Sequence, residues 1–443
     1  MKKLCSTAVL LAAAAVPVVS FAASSSEQQI KQLQLDMKQL QQQVAQLQGA
    51  GTSSGGLVHV GPLYKDGPMV SQIGAIGQEQ NILVTRQKMS KMGQQLPLLS
   101  IGGLLESDIG YGRNTNLDGN YFDDQRTSDA ELTAARIHIM ANINDWTTGF
   151  IYYDFLASNL RTGKVTFGNL NETPFYASIG KSYTYFGNWT GPNIISTDVA
   201  SALFESRSDN AMLGYTKGGF NAQLGMTSPT TTVYTDTSST HTNHASLVTQ
   251  ARYTFDLGNK NSAYFGAGYM SDINGTEVSA LSQAQPADGH SRLPVADVHA
   301  GATFGPVSIN AEYATTLVKV QNYDDNLATG TTTNSDKVSA FEIDASYNFK
   351  IKSYASYVAF GYSQSQNAAN LKTYYTANTG SHQAGDPLNS GSTIAKRIYS
   401  LDTGISLDNR TDLGVEVARM ESYDNTGVSP RSYLVGFDMT VHF

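Results

Sequence analysis

From Leu98 onward, apolar and polar residues alternate with a period of two, in segments of about 10 to 14 residues, the weak signal that each strand of a membrane barrel leaves in a sequence. The run Tyr433-Leu434-Val435-Gly436-Phe437-Asp438-Met439-Thr440-Val441-His442-Phe443 is the clearest: every odd position is apolar and the even ones are mostly small or polar. Successive strand side chains point to opposite faces, so odd positions here are expected to meet lipid and even ones a lumen.

Alternation alone also fits a soluble sandwich, so the connections arbitrate. Short turns are expected at Asn144-Asp145, Asn171-Glu172-Thr173, Lys217-Gly218-Gly219, Gly258-Asn259-Lys260, Gly305-Pro306, Lys350-Ile351-Lys352 and Asp408-Asn409-Arg410. Between these hairpins lie long polar stretches such as Ser228–Ala245, Ser271–Arg292 and Gln364–Thr393. Strict alternation of short turns with long loops predicts a transmembrane antiparallel β-barrel of about sixteen strands over 98–443, with both ends of the barrel on the periplasmic side. Tyrosines and phenylalanines near strand ends, among them Tyr111, Tyr152, Phe175, Tyr215 and Tyr433, suit an interfacial girdle or plain strand propensity.

Upstream the period changes. Leu4 to Ala15 is apolar, follows Lys2 and Lys3 and precedes Ser20-Phe21-Ala22, so 1–22 reads as a secretory signal cleaved before Ala23. Within 27–48, Ile30, Leu33, Met37, Leu40, Val44 and Leu47 recur at steps of three and four among glutamines, an a/d seam of a short coiled coil or one amphipathic helix. Residues 49–97 open with a Gly/Ser linker and form either a periplasmic neck or a plug.

Composition narrows the function classes. The single cysteine, Cys5, lies in the signal, so the exported chain has no disulfide, zinc-thiolate site or cysteine nucleophile. Loss of Lys2 and Lys3 takes the formal charge from −8 to −10, a poor match for nucleic acid. No nucleophile elbow or metal-ligand spacing stands out, and His241 with His244 reads as a solvated loop, so neither enzyme activity, cofactor nor metal is expected.

Strand parity turns Glu106, Asp108, Asp154, Asp344, Asp402 and Asp438 inward, with Arg136, His138, Arg252 and His442 among them. The expected lumen is polar and water-filled; its carboxylates either favour cations or pair with the bases across it. The long segment from Asn188 to Asp209, carrying Glu205, Arg207 and Asp209, is the constriction candidate by analogy with sixteen-stranded porins.

The stretch Val165-Thr166-Phe167-Gly168-Asn169-Leu170, then Pro174 to Lys181 and Phe186-Gly187, resembles a hairpin of porin-type barrels preceded by an N-terminal helix. The layout of signal, glutamine-rich heptads, Gly/Ser linker and a barrel ending in Phe resembles the LbtU-type siderophore porin family. The resemblance implies an outer-membrane channel or receptor for a ferric siderophore or similar small hydrophilic solute. The rival is a general diffusion porin, trimeric through the heptads. The implied surroundings are a lipid bilayer and lipopolysaccharide. The large folded plug and motor-binding box of energised siderophore receptors are missing from this sequence.

Overall fold

The computed structural model describes most of 98–443, leaving out 116–120, 190–194, 229–232, 236–237, 241–244, 324–331, 374–391, 424–430 and a few single loop positions. Upstream it describes only 58–60 and several positions between 83 and 91, so the signal and the heptad seam lie outside the described residues.

Sixteen antiparallel strands form the barrel: β1 (Leu99–Thr115), β2 (Tyr121–Asn142), β3 (Thr147–Asp154), β4 (Asn159–Gly168), β5 (Phe175–Tyr183), β6 (Arg207–Lys217), β7 (Phe220–Ser228), β8 (Ser246–Gly258), β9 (Asn261–Met270), β10 (Val295–Phe304), β11 (Val307–Thr316), β12 (Ser339–Ile351), β13 (Tyr354–Gln366), β14 (Arg397–Ser406), β15 (Thr411–Glu421) and β16 (Arg431–His442). Each pairs with its sequence neighbour, and β1 pairs with β16 from Leu104–His442 to Arg113–Tyr433, which closes the sheet. Closure leaves no open edge, the condition for a sheet to sit in lipid. The short segment Val58–Val60 runs parallel to the start of β1.

Alternate residues along the strands are exposed and apolar: Ile109, Phe167, Ile179, Leu213, Phe265 and Val435 lie on the outer surface, Leu213 at 66%. A belt of this kind is an aggregation hazard in water and the right surface for hydrocarbon. The short turns all fall at one end of the barrel and the long loops at the other.

The first long hairpin differs from the expected boundary. β2 begins at Tyr121, well inside a stretch whose mostly polar sequence (YFDDQRTSDA) carries no regular apolar alternation, and its ladder with β1 reaches Thr115–Tyr121 after a register shift. Among the described residues, register shifts interrupt the wall at four places: at Thr133 opposite Glu106/Ser107, at Arg161 opposite Tyr152/Tyr153, between Arg113 and Thr115, and between Asp256 and Gly258.

The barrel interior is not uniformly polar. Inward residues at the loop end, including Met212, Val248, Met270, Val295, Ile398 and Met420, are buried in one apolar cluster with Tyr185, Phe186, Trp189, Leu203, Phe204 and Leu281 from the loops. This corrects the expectation of a lumen that is polar and water-filled throughout. The physical reason is that two loops fold inward, so inward apolar side chains leave water there rather than facing it.

Candidate functional site: a loop stapled across the barrel

The connection between β5 and β6, residues 184–206, is the inward loop. Its one helical turn, α1 (Val199–Phe204), is capped by Asp198, whose carboxylate accepts from the Ser201 N–H at 2.6 Å. Val199, Ala200, Leu203 and Phe204 are buried in the apolar cluster, and Trp189 stacks on Phe204.

The polar half of this loop's docking is main-chain. Gly187 N–H donates to Asp297 of β10 at 3.0 Å, Asn188 N–H to both Glu312 oxygens of β11 at 2.9 and 3.0 Å, and Val199 N–H to Ser363 of β13 at 3.1 Å. Ile195 N–H and Ser196 N–H donate to Glu416 of β15, the former at 2.7 Å. The loop therefore leaves the wall at β5 and crosses to β10, β11, β13 and β15 on the far side of the ring. A buried carboxyl group needs such donors to replace the water it has lost.

The connection between β9 and β10 folds over the same loop. Glu277 and Arg207 exchange main-chain hydrogen bonds at 2.8 and 3.0 Å, and their side chains form an ion pair at 2.7 Å. Ala280 N–H donates to the Ala202 carbonyl at 3.0 Å and Ser279 Oγ donates to that of Leu203. Glu205 accepts from Ser201 Oγ at 3.3 Å. Burial, then the neighbouring Asp198, raises its carboxyl from the ordinary value to about 7.

Arg252 of β8 meets this assembly: its guanidinium lies 3.9 Å from the Tyr264 ring centroid and donates to Asn188 Oδ1 at 3.1 Å. Glu205, Arg207 and Arg252 are thus brought together with the inward loop. Asp209 is not. It is exposed on β6, on the outer side with Ala211 and Leu213; Arg207 has the same parity and is buried through its pairing with Glu277 of the β9–β10 connection.

The other predicted residues gather elsewhere on the wall. Arg136 and Arg161 both pair with Asp154, at 3.0 and 2.8 Å. Sequence parity misses Arg161, which points outward until the bulge at its own position re-aims it. Glu106, Asp108 and Asp438 converge with a ligand-type atom from each within 4.8 Å, and Asp297, His299 and Glu312 do the same. In the second set both carboxylates already hold loop N–H groups, and His299 Nδ1 lies 2.7 Å from Asp297. His442 Nε2 lies 3.0 Å from Asp412, while His138, Asp344 and Asp402 are buried on the inner face. Glu312, Glu416 and Lys164 were equally legible by parity, since all are inward strand positions.

At the short-turn end Arg86, upstream of the barrel, donates to Asp145 O at 3.0 Å, Gly168 O at 3.3 Å and Asn142 Oδ1 at 3.2 Å. Gln87 donates to Leu170 O at 2.6 Å, so this part of the segment before β1 is held at the turns of β2 to β5.

Known proteins agree with this architecture. The chain is 15% identical to the outer membrane channel DcaP of Acinetobacter baumannii, with a TM-score of 0.50 over 78% of this chain and 97% of that one. It is 14% identical, with the same score and coverage, to OmpF of Salmonella typhi, solved in complex with daunomycin. The fold is that of a porin-like outer-membrane channel. In sequence it is similar to a UPF0422 protein of Coxiella burnetii, 24% identical over 334 residues, covering 71% of this chain and 69% of that protein. A UPF0422 protein of Legionella pneumophila is 23% identical over 197 residues, 38% of this chain and 35% of its own length. No family model matches the sequence.

Proposed function

We propose that the protein is a selective outer-membrane channel for small hydrophilic solutes, with a ferric siderophore as the favoured cargo. The observation that carries selectivity is the inward loop held at Glu312 and Glu416, which takes up cross-section on the β10 to β16 side; we place the passage along the polar wall from β1 to β4. Acids line one side of that wall, Glu106 and Asp108 with Asp438 beside them, and bases the other, Arg136, Arg161 and Lys164. A small solute crossing between them meets opposite charges on its two sides, which orients it and disfavours apolar cargo.

The siderophore reading rests on the layout that resembles LbtU-type porins. The bases of β2 to β4 give an anionic iron complex local counter-charges within an acidic protein. The heptad seam supports a trimer as the working assembly.

Conductance of the purified full chain in planar bilayers tests this. A steady ion current interrupted by micromolar ferric siderophore, and not by the iron-free form, is expected. Current indifferent to the complex would sink the selective reading in favour of general diffusion.

A further inference from the structure

Strand register lines up five residues on the outer surface at the loop end. Tyr399 of β14 is paired with Arg419 of β15, Arg419 with Tyr433 of β16, Tyr433 with Arg113 of β1, and Arg113 with Arg126 of β2. One step farther from the membrane, Arg397 is paired with Glu421 and Glu421 with Arg431. One step toward it come Leu401, Val417, Val435 and Tyr111, all exposed and all but the tyrosine aliphatic. Rows on one face are about 7 Å apart, and five strands span about 19 Å.

Among the described side chains, the charge in this sector is one-sided. Glu421 is the acid that faces its arginines, and it is shared between Arg397 at 3.4 Å and Arg419 at 2.5 Å. Arg113 and Arg126 are exposed, stand directly opposite one another, and form no ion pair among the described residues. Like charges directly opposite on a sheet destabilise it unless an anion lies between them. Strands β7 to β12 carry no outward arginine at this end among the described residues, so the feature belongs to one sector of the rim.

We propose that this sector binds a phosphorylated glycolipid of the outer leaflet, the lipopolysaccharide class. Arg113, Arg126 and Arg419 hold its phosphates, Tyr399 and Tyr433 lie against its sugars, and the aliphatic row below takes its acyl chains. The chemistry requires all three parts in that order along the membrane normal. Guanidinium groups bind phosphate oxygens with two parallel hydrogen bonds, tyrosine suits the interface, and Leu and Val match hydrocarbon. The inference rests on outer-membrane placement and not on the cargo.

The test titrates the detergent-purified full chain with lipopolysaccharide lacking O-antigen, and with the same lipid after its phosphates are removed, reading bound lipid by native mass spectrometry. Expected is retention of the phosphorylated lipid and a loss of about tenfold or more on dephosphorylation. The triple variant Arg113→Ser, Arg126→Ser, Arg419→Ser should show the same loss at unchanged conductance, and lysine at the three positions, which keeps the charge but not the paired hydrogen bonds, should recover only part of the binding. Equal binding of both lipids by the wild type overturns the proposal without relying on any variant. So does a triple variant that binds normally, or inorganic phosphate displacing the lipid at lipid-like concentrations, which would mark a simple anion site. Conductance without lipid discrimination ends this inference and leaves the channel reading standing; discrimination without conductance does the reverse.

Discussion

Gly103 and Phe443 exchange both of their main-chain hydrogen bonds, at 2.9 and 3.0 Å, and extend the ladder that joins β16 to β1 past His442. The phenylalanine ring lies against Gly103, where a Cβ would collide with it and with the Arg136 carbonyl. Gly103→Val should therefore impair barrel closure: less heat-modifiable, fast-migrating species on unboiled SDS gels, with a cost of about 1–3 kcal/mol from overpacking. Unchanged gel mobility and yield would count against the seam's dependence on this contact.

Removing a staple should loosen the inward loop. Glu416→Ala deletes the acceptor of the Ile195 and Ser196 N–H groups, each a hydrogen bond to a charged group worth about 1.5–3 kcal/mol. Single-channel conductance should rise and become noisier, and Glu312→Ala, four strands away on β11, should act in the same direction. Quiet, wild-type conductance in the Glu416→Ala, Glu312→Ala double variant would show that the apolar contacts of α1 hold the loop unaided.

Asp154 carries two guanidinium groups while almost wholly buried. Asp154→Ala leaves both arginines uncompensated, so the thermal midpoint should fall, by an equivalent of about 3–5 kcal/mol if the site is fully dry and less with lumen water. The same change should move the reversal potential in a salt gradient toward anions. A shift toward cations would contradict the assignment of these arginines to the conduction path.

The Glu205 carboxyl sits at about 7, above its ordinary 4.5, so its charged form is disfavoured in the folded loop. Linkage gives the sign: the loop's docking is most stable below about 4.5, weakens as pH rises through 7, and is constant above that. Hydrogen exchange of the 184–206 amides, corrected for the intrinsic pH dependence of exchange, should show lower protection at pH 8 than at pH 5. Glu205→Gln should flatten the difference; an unaltered profile in that variant would assign it to another group.

Strand count, turn positions and inward parity could be read from the chain because lipid imposes a period of two on one face. Where lipid ends, so does the signal, which is why the polar first half of β2 reads as loop. Arg161 was hidden by a bulge that no local pattern announces. The apolar loop core was hidden differently: Met212, Val248 and Met270 break the polar parity singly, and they acquire meaning only beside Phe204 and Leu281, which are distant in sequence. The α1 turn did carry a signal, Asp198 followed by an apolar run, within the segment marked as the constriction.

Glu312 and Glu416 grip peptide N–H groups rather than side chains of the loop. Every amino acid but proline offers that handle, so substitutions at 188, 195 and 196 can change the side chains the loop presents without cutting it loose. The barrel wall thus fixes where the loop runs and leaves the side chains at those positions free to vary.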